Sequence, residues 1–483
     1  MGKPSSGETG LIATHVIVGD GITALAFLES CRLCPGDTVL LLGRNASEFG
    51  RGVAYAKGQV GTPWRFAYLL NSPADDIDPA FADWLAQRWT MVQDVMQGRA
   101  PNWLAAAAPL VEAGDIHGVN APREFYGDFM REQARATIAR LERQGTQVRT
   151  LDDAATTLSV ASDGITLTTA AGRTITAATV DVAPGGPSTL RIDGDDGPFS
   201  APTVFGQEAR IADHIKAGRE IFCIGGNASM LDVLRLCQSL IPDEALRFVA
   251  CAPDGDIPAP LIPRVPRKLT QPVLTTGHQT AQTLLDEIWH AIESAKAAGD
   301  GMREIRAGFR AHFLAHPLTS YLPNPEEARR VPATLRFWLR GGTRDTILDM
   351  HRLVSAGKAQ MVPGFVTAVE HGPTGATVHI SDGRDTHTQR QTGFVVNCAG
   401  AGHNSRYDPL TQNLLDQGLI EVCPVSKGLK VGAFCQTKSP AIRHLSPATT
   451  IIGEEVMAMP LYDAHMLRTY AGRARMPTTA AAS

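Results

Sequence analysis

The sequence lacks the long apolar runs and dense basic clusters that mark membrane proteins and nucleic-acid-binding proteins. Its apolar runs, such as residues 39–42, are far shorter than the roughly 20 residues that span a bilayer. Lys and Arg number 45 against 49 Asp and Glu, and the densest basic patch, residues 264–268, is short. We therefore expect no transmembrane helix and no membrane or nucleic-acid partner.

The sequence also lacks the apolar core of a signal peptide, and it has few cysteines. The first residues, MGKPSSGETG, are polar, and 8 cysteines are scattered through 483 residues, which favours free thiols in the cytoplasm. Cys31 and Cys34 form a CxxC pair. The segment TALAFLESCRLC is typical of an amphipathic helix with both thiols late in it, so helix packing is favoured over redox chemistry.

Near the N-terminus, THVIVGDGITALAFLESC predicts a strand, a tight turn and a helix. Gly19 makes the turn, Gly21 lets backbone N–H groups approach a pyrophosphate, and Ala24 permits close packing of helix on strand. Thr23 lies in the same turn and is a further predicted contact. The following strand, DTVLLLG, completes a dinucleotide-binding unit.

The acidic residue that usually binds the ribose after that second strand is absent. Gly43 and Arg44 occupy its place. Glu48 in the next loop is an alternative ligand, as are backbone groups alone. Arg44 also leaves open a 2′-phosphate, and hence NADP, in this first site.

A second, less regular glycine loop lies in REIFCIGGNASMLDVLRLC. Gly225 and Gly226 end a strand, Asn227 replaces the usual second glycine, and Ser229 opens a helix. Asparagine tolerates left-handed backbone angles better than other non-glycine residues, so we expect the turn to form with a side chain in the path of the pyrophosphate. Three basic residues follow the next strand: Arg264, Arg267 and Lys268. They favour NADPH over NADH if the loop binds a nucleotide, and a solvated basic loop is the alternative.

Two stretches of alternating β-branched residues bracket this second loop. Residues 157–182 predict a three-stranded meander, and residues 364–400 repeat the plan. Between them, TAQTLLDEIWHAIESAKAAG and DTILDMHRLVSAG predict helices with Trp289, Ile292 and Leu348 in the core. The predicted fold is α/β, with two Rossmann-like dinucleotide-binding domains, the second inserted in the first. The predicted parts are 12–205 and 356–470 for the first domain and 206–355 for the second, with its helical segment.

Two further motifs come in order after the first loop, GRGVAY at 50–55 and LLNSPA at 69–74. With the glycine loops, they resemble bacterial FAD/NAD(P)-binding flavoproteins related to the N-hydroxylating monooxygenases of amines and amino acids, over residues 12–470. The resemblance implies FAD in the first domain, with its pyrophosphate over residues 19–24 and NADPH in the second. It also implies residues that line the flavin: Arg51, Gly52, Val53, Ala54, Tyr55, Leu70, Asn71, Ser72, Gly400 and Gly453.

The cofactor, rather than a protein triad, would supply the chemistry. No Ser-His-Asp arrangement or metal spacing stands out, and His316 and His444 are isolated. Asn71 is the best candidate for a catalytic polar residue, against the alternative that it caps the turn before Pro73. His403, with Asn404, is a weaker candidate after the Ala399-Gly400 turn.

The resemblance implies an NADPH-using monooxygenase that N-hydroxylates a small amine or amino acid with O2, through a flavin C4a-hydroperoxide. An FAD-dependent dehydrogenase or oxidase with a degenerate nicotinamide site remains open. A disulfide reductase is disfavoured because Cys223, Cys237 and Cys251 are too far apart in sequence for a redox pair. A flavin-binding sensor has no support beyond the altered loop, and the sequence is compatible with a homo-oligomer.

Overall fold

The computed structural model describes residues 10–58, 62, 64–162, 164–186, 189–258, 269–335, 343–384, 386–400, 404–458 and 464–473. Strands within these ranges, in chain order, are β1 Leu11–Val18, β2 Thr38–Gly43, β3 Gln147–Asp152, β4 Ala155–Ala161, β5 Gly164–Thr169, β6 Thr174–Val182, β7 Thr189–Leu190, β8 Ser200–Ala201, β9 Ile221–Ile224, β10 Phe248–Ala252, β11 Ala359–Pro363, β12 Phe365–His371, β13 Ala376–Ser381, β14 His387–Thr392, β15 Phe394–Asn397, β16 Ser405–Arg406, β17 Glu421–Val422, β18 Leu429–Val431, β19 Ile442–His444, β20 Thr449–Ile452 and β21 Glu455–Val456.

Helices in the same ranges are α1 Ile22–Ser30, α2 Ala74–Ile77, α3 Pro79–Gln87, α4 Trp89–Gln97, α5 Pro101–Glu112, α6 Arg123–Arg143, α7 Glu208–Lys216, α8 Ala228–Gln238, α9 Ala281–Ala297, α10 Met302–Ala315, α11 Pro325–Ala328, α12 Val331–Leu335, α13 Arg344–Ser355, α14 Pro409–Asp416 and α15 Ala464–Arg473. Short 3-10 turns are Ala46–Glu48, Val53–Tyr55, Ile116–Gly118, Asp243–Ala245, Leu318–Ser320 and Ala433–Cys435. Among these helices, none combines the length and apolar character needed to cross a membrane.

The first sheet is built on parallel strands in the order β3-β2-β1-β6. β1 and β2 are nearly continuous apolar runs because both faces of a parallel sheet are covered. The free edge of β6 is shared: antiparallel β5 pairs with its first half and parallel β19 with its second half. Antiparallel β4 follows β5, so the meander predicted at 157–182 is confirmed.

The second sheet is wholly parallel, in the order β11-β10-β9-β15-β8. One face packs on an apolar core shared with α7, α8 and α13. The other face packs on the antiparallel sheet β12-β13-β14, which is the second predicted meander. The predicted α/β fold with two Rossmann-type units and β-meanders is therefore confirmed.

The predicted domain ranges need correction at the second unit. β8, β11 and β15 belong to the second sheet but lie outside 206–355, so that range is too short at both ends. Helices α9 and α10, which were predicted to lie inside that unit, share a core with Ile451 and Val456 of the C-terminal sheet β17-β18-β20-β21. Apolar periodicity predicted these helices but could not show which sheet their apolar faces contact.

Two local predictions are also corrected. Helix α1 ends at Ser30, so Cys31 lies at its C-cap and Cys34 in an exposed loop, not within the helix. Leu348 was predicted to be in the core, but 43% of it is exposed because it lies on the outer face of α13; Ile292 is buried, at 2%.

Candidate dinucleotide-binding site

The first glycine loop is fixed by backbone contacts at the end of β1. Gly19 has a φ of +112° and donates its N–H to the Leu42 carbonyl at 2.8 Å. Ala183, directly after β6, donates its N–H to the Val18 carbonyl at 2.8 Å. A Cβ on Gly19 would lie 2.1 Å from the Ala183 carbonyl oxygen, so only glycine fits this turn.

Helix α1 follows this loop and presents an uncapped N-terminus. Gly21 is the N-cap, no side chain caps the helix, and its first turn holds no acidic residue. The first-turn N–H groups, around Thr23 and Ala24, have no intrahelical acceptor and lie at the positive end of the helix dipole. This arrangement suits a pyrophosphate.

Asp20, between the two glycines, fills the space at the end of β2. Its Oδ2 accepts the N–H of Asn45 at 2.8 Å, and a Cβ on Gly43 would lie 2.9 Å from the Asp20 Cβ. A carboxylate from the phosphate loop therefore lies at the end of β2, where the sequence has none of its own. Arg44 is exposed, and Glu48 pairs with Arg51 at 3.1 Å.

The second glycine loop repeats the geometry of the first. Gly225 has a φ of +103° and donates its N–H to the Cys251 carbonyl at 2.8 Å. Cys398, after β15, donates its N–H to the Ile224 carbonyl at 2.8 Å. A Cβ on Gly225 would lie 2.9 Å from the Cys398 carbonyl oxygen. Gly225 therefore corresponds to Gly19 in every one of these contacts.

Asn227 takes the place of Gly21 in this second loop. It is the N-cap of α8 with a φ of −116° and a ψ of −155°, in the extended region. The turn therefore forms without the left-handed angles that asparagine tolerates. Its side chain makes no capping hydrogen bond, and the first turn of α8, which includes Ser229, holds no acidic residue. Gly226 packs closely, since a Cβ there would lie 2.8 Å from the Ala252 Cβ.

The GRGVAY segment lies directly on the first phosphate loop. The N–H groups of Gly50 and Gly52 both donate to the Asp20 carbonyl, at 2.9 and 3.0 Å. Gly52 has a φ of +63°, and a Cβ on it would lie 2.8 Å from the Gly21 Cα. The two glycine segments therefore approach each other with no room for side chains.

Arg51, by contrast, turns its side chain away from this loop into the protein. The guanidinium is buried and paired with Glu48 and Asp128. Val53, Ala54 and Tyr55 form the 3-10 turn that follows, and Val53 is 49% exposed. Arg51 thus anchors the segment and leaves the backbone of residues 52–55 to face any ligand.

Helix α6 supports this segment through one glycine. A Cβ on Gly127 would lie 2.2 Å from the Tyr55 carbonyl oxygen. The rings of Tyr55 and Tyr126 meet edge to face, with centroids 4.9 Å apart. The close approach of α6 therefore sets the position of the GRGVAY turn.

The LLNSPA segment lies between the two units. Leu69 and Leu70 belong to the core of the first sheet, whereas Tyr68 packs on the core of the second. The Leu70 carbonyl accepts a hydrogen bond from the Asn120 side-chain amide at 3.0 Å, and the Leu70 N–H donates to the Ala121 carbonyl at 2.8 Å. Its carbonyl also accepts the hydroxyl of Thr343, at the N-cap of α13. Ser72 is buried and Asn71 is half-buried.

A buried ion pair beside this segment joins α6 to α8. Arg123 and Asp232 are 3.0 Å apart, and the Arg123 Nε donates to the Leu69 carbonyl at 2.9 Å. Burial raises the pKa of Asp232 to about 6, although Arg123 lowers it. Sequence reasoning missed this pair because its two residues are more than a hundred positions apart.

The two crossovers between the units pair with each other. β7 and β16 form a two-stranded antiparallel ribbon, and Thr189 also bridges Gly400. Asp195 beside it is buried and accepts from Asn397 at 2.6 Å and from Arg406 at 2.6 Å. Gly400 is thus placed at the crossover, whereas His403 lies outside the described residues, as do Arg264, Arg267 and Lys268.

Gly453 lies in the turn between β20 and β21, next to a strained turn. Its φ is +59°, and a Cβ on it would lie 3.3 Å from the Ala433 Cα. Phe434 and Cys435 both have positive φ, at 59° and 62°. Residues held in such conformations are concentrated at ligand-binding sites. His444, by contrast, is buried with its pKa lowered to about 4 by burial, as expected of a structural histidine.

The residues present fit two dinucleotides. Each sheet offers a positive-φ glycine that excludes a Cβ, followed by a helix of at least nine residues with an uncapped N-terminus. At the helix N-cap the second loop carries the Asn227 side chain, whereas the first loop has Gly21 there. Fold and site together define a protein with two dinucleotide-binding units.

Comparisons with known proteins agree with this architecture. Residues 16–187 match the FAD-NAD(P)-binding family model, which confirms the predicted FAD/NAD(P)-binding segment. A search of curated proteins finds no match.

Similar folds occur among solved structures. The FAD-bound cadaverine monooxygenase of the desferrioxamine pathway from Erwinia amylovora is 13% identical with a TM-score of 0.54, over 96% of both chains. Ornithine hydroxylase from Pseudomonas aeruginosa is 12% identical with a TM-score of 0.52, over 96% of this chain and 98% of that one. Ornithine N-hydroxylase from Kutzneria sp. 744 is 14% identical with a TM-score of 0.50, with the same coverage. At these identities the likeness is one of fold.

Proposed function

We propose that this protein is an FAD-dependent, NADPH-using monooxygenase that N-hydroxylates a small amine or amino acid with O2. The observation that carries the proposal is the repetition of one loop geometry at Gly19 and Gly225, which provides two dinucleotide sites in a single chain. The choice of N-hydroxylation is supported by the solved structures of similar fold, whose names are those of cadaverine and ornithine hydroxylases.

The chain's own residues bind and orient the cofactors in this proposal. When bound, FAD accepts a hydride from NADPH and activates O2. The uncapped N-termini of α1 and α8 would hold the two pyrophosphates. The backbone of residues 52–55, fixed by Arg51 and Gly127, and that of residues 70–72 would line the flavin.

Asn71 would contribute the amide that binds the flavin edge or the nicotinamide. It is half-buried, and its side chain forms no hydrogen bond with any residue that the structure describes. Both neighbours, Leu70 and Ser72, are buried, so its backbone position is fixed while its amide remains available. This combination suits a ligand contact better than the alternative of a turn cap.

The second candidate is an FAD-dependent dehydrogenase or oxidase, and Asn227 is the observation that favours it. A side chain at the N-cap of α8 narrows the space in which a pyrophosphate would lie. In that case the substrate itself would reduce the flavin and NADPH would be dispensable.

Product analysis separates the two candidates. The FAD-loaded protein is mixed in air with cadaverine, ornithine or lysine in separate reactions, each with and without NADPH. The products are analysed by mass spectrometry. The proposal predicts a product one oxygen atom heavier than the amine, at an amount that follows NADPH consumption. An amine that is oxidised without NADPH would overturn it in favour of the dehydrogenase or oxidase. Asn71→Ala is expected to lower the product formed per NADPH while FAD content stays unchanged.

A further inference from the structure

A cluster of ionisable side chains lies in the first sheet, apart from both glycine loops. His15 on β1, Asp181 on β6 and Arg443 on β19 are all buried. The Asp181 carboxylate accepts the Arg443 Nε at 2.6 Å and a second bond from its Nη2 at 2.5 Å. The His15 Nε2 lies 3.0 Å from the Asp181 Oδ2, and its Nδ1 lies 2.7 Å from the Thr179 hydroxyl.

Cys31 brings a thiol to this cluster because α1 ends just before it. Its Sγ lies 3.4 Å from the His15 Nε2 and 3.9 Å from the Asp181 Oδ2. Cys31 is half-exposed, and its neighbours Ser30 and Arg32 line a cleft of about 620 Å³ between α1 and α15. The thiol is therefore in contact with a buried imidazole and close to a path from solvent.

The Cys31 sulfur lies beside a buried group of opposite charges, His15 and Arg443 against Asp181. Burial lowers the pKa of His15, but Cys31 and Asp181 beside it raise the pKa to about 10, so His15 keeps its proton at neutral pH. Burial raises the pKa of Asp181, but His15 and Arg443 lower it overall. Two cations then face one carboxylate, and the Cys31 sulfur lies 3.4 Å from the proton-bearing His15 Nε2. Cys435, by contrast, keeps its proton at neutral pH because burial raises its pKa to about 12.

A metal ion is a poorer explanation of the same residues. Ligand atoms of His15, Cys31 and Asp181 lie within 4.8 Å of one another, as in a three-ligand site. Both carboxylate oxygens of Asp181, however, are engaged by Arg443. A divalent cation there would sit beside a buried guanidinium and compete with it for the carboxylate.

We propose that Cys31 is a reactive cysteine, oxidised to a sulfenic acid by hydrogen peroxide, with His15 as the proton donor. The thiolate sulfur attacks one peroxide oxygen, an S–O bond forms and the O–O bond breaks, so that sulfur loses two electrons and peroxide gains them. The departing hydroxide takes the proton from the His15 Nε2 and leaves as water. The net change is one thiol and one peroxide converted to one sulfenic acid and one water. Reagent peroxide is sufficient, so the inference does not depend on the proposed function.

Cys34 provides an internal comparison. It is more exposed than Cys31 but has no histidine contact among the described residues. Arg32 separates the two thiols, so trypsin places them on different peptides. The reduced protein is treated with hydrogen peroxide and a dione that traps sulfenic acids, and both peptides are quantified by mass spectrometry over time. We expect Cys31 to react about tenfold faster than Cys34 at pH 7, because the His15 Nε2 beside Cys31 can protonate the departing hydroxide.

Two variants test the role of His15. His15→Asn is expected to lower the oxidation rate of Cys31 to about that of Cys34. Thr179→Val removes the hydrogen-bond partner of the His15 Nδ1 with little change in shape, and it should lower the Cys31 rate by a smaller factor. An unchanged circular dichroism spectrum in each variant shows that the fold is retained, and the Cys34 rate serves as the internal reference. Equal rates for the two cysteines in the wild type would overturn the proposal. A Cys31 rate that neither substitution changes would also overturn it. So would the finding that the protein binds one equivalent of zinc and that Cys31 becomes reactive only after a chelator removes the metal.

Discussion

Gly225→Ala tests the second loop by adding one methyl group. The added Cβ would lie 2.9 Å from the Cys398 carbonyl oxygen, at a backbone φ of +103° that alanine rarely adopts. We therefore expect the loop to shift and its N–H groups to lose their alignment with a bound pyrophosphate. Loss of one hydrogen bond to a charged group costs about 1.5–3 kcal/mol. NADPH should bind roughly 10- to 100-fold more weakly.

Gly218→Ala is the matched control for this substitution. Gly218 lies in the same unit and has a φ of +71°, but a Cβ there would meet no atom within 4 Å. Its backbone strain alone costs about 1–2 kcal/mol of stability. The Kd for NADPH is measured by titration for both variants, with FAD content read from the visible spectrum. Both proteins should keep FAD, and only Gly225→Ala should lose NADPH affinity. If both bind NADPH as the wild type does, the loop at Gly225 is not the nicotinamide dinucleotide site.

Three further substitutions test other parts of the site. Asn227→Gly should lower the Kd for NADPH, because the extended φ of −116° at Asn227 shows that the turn does not require this side chain. An unchanged Kd would mean that the Asn227 side chain does not obstruct binding. Arg123→Met leaves the Asp232 carboxyl buried without its cation, which costs about 3–5 kcal/mol of unfolding free energy. The pKa of Asp232 is raised in the folded protein, so folding favours its protonated form. The loss of unfolding free energy in Arg123→Met, measured by urea unfolding, should therefore be smaller at pH 5 than at pH 8. Equal losses at the two pH values would contradict the buried ion pair of Arg123 with Asp232. Gly127→Ala should reduce FAD retention, because its Cβ would lie 2.2 Å from the Tyr55 carbonyl oxygen, while Gly98→Ala, with no atom within 4 Å, should retain FAD fully.

The sequence predicted the local parts of this fold well. Glycine spacing, apolar runs and the alternation of β-branched residues all depend on neighbours in the chain. They identified the loops at Gly19 and Gly225 and both meanders. Conformation at single residues was less predictable: asparagine tolerates left-handed angles, but the structure shows Asn227 as an extended N-cap.

Contacts between distant segments could not be predicted. The side chains of His15, Asp181 and Arg443 meet only because β1, β6 and β19 are neighbours in one sheet. Cys31 was expected to lie inside a helix, and that expectation was wrong because α1 ends at Ser30. The domain range 206–355 failed for the same reason, since strand order joins β8 and β15 across two hundred residues.

The central claim is that this chain holds FAD and NADPH in two sites that exchange a hydride. It is tested most directly by mixing the FAD-loaded protein with NADPH in the absence of oxygen and following the visible flavin absorbance. We predict rapid bleaching of the flavin, slower with NADH than with NADPH, and strongly slowed in Gly225→Ala. A flavin that stays oxidised with either nucleotide would contradict it.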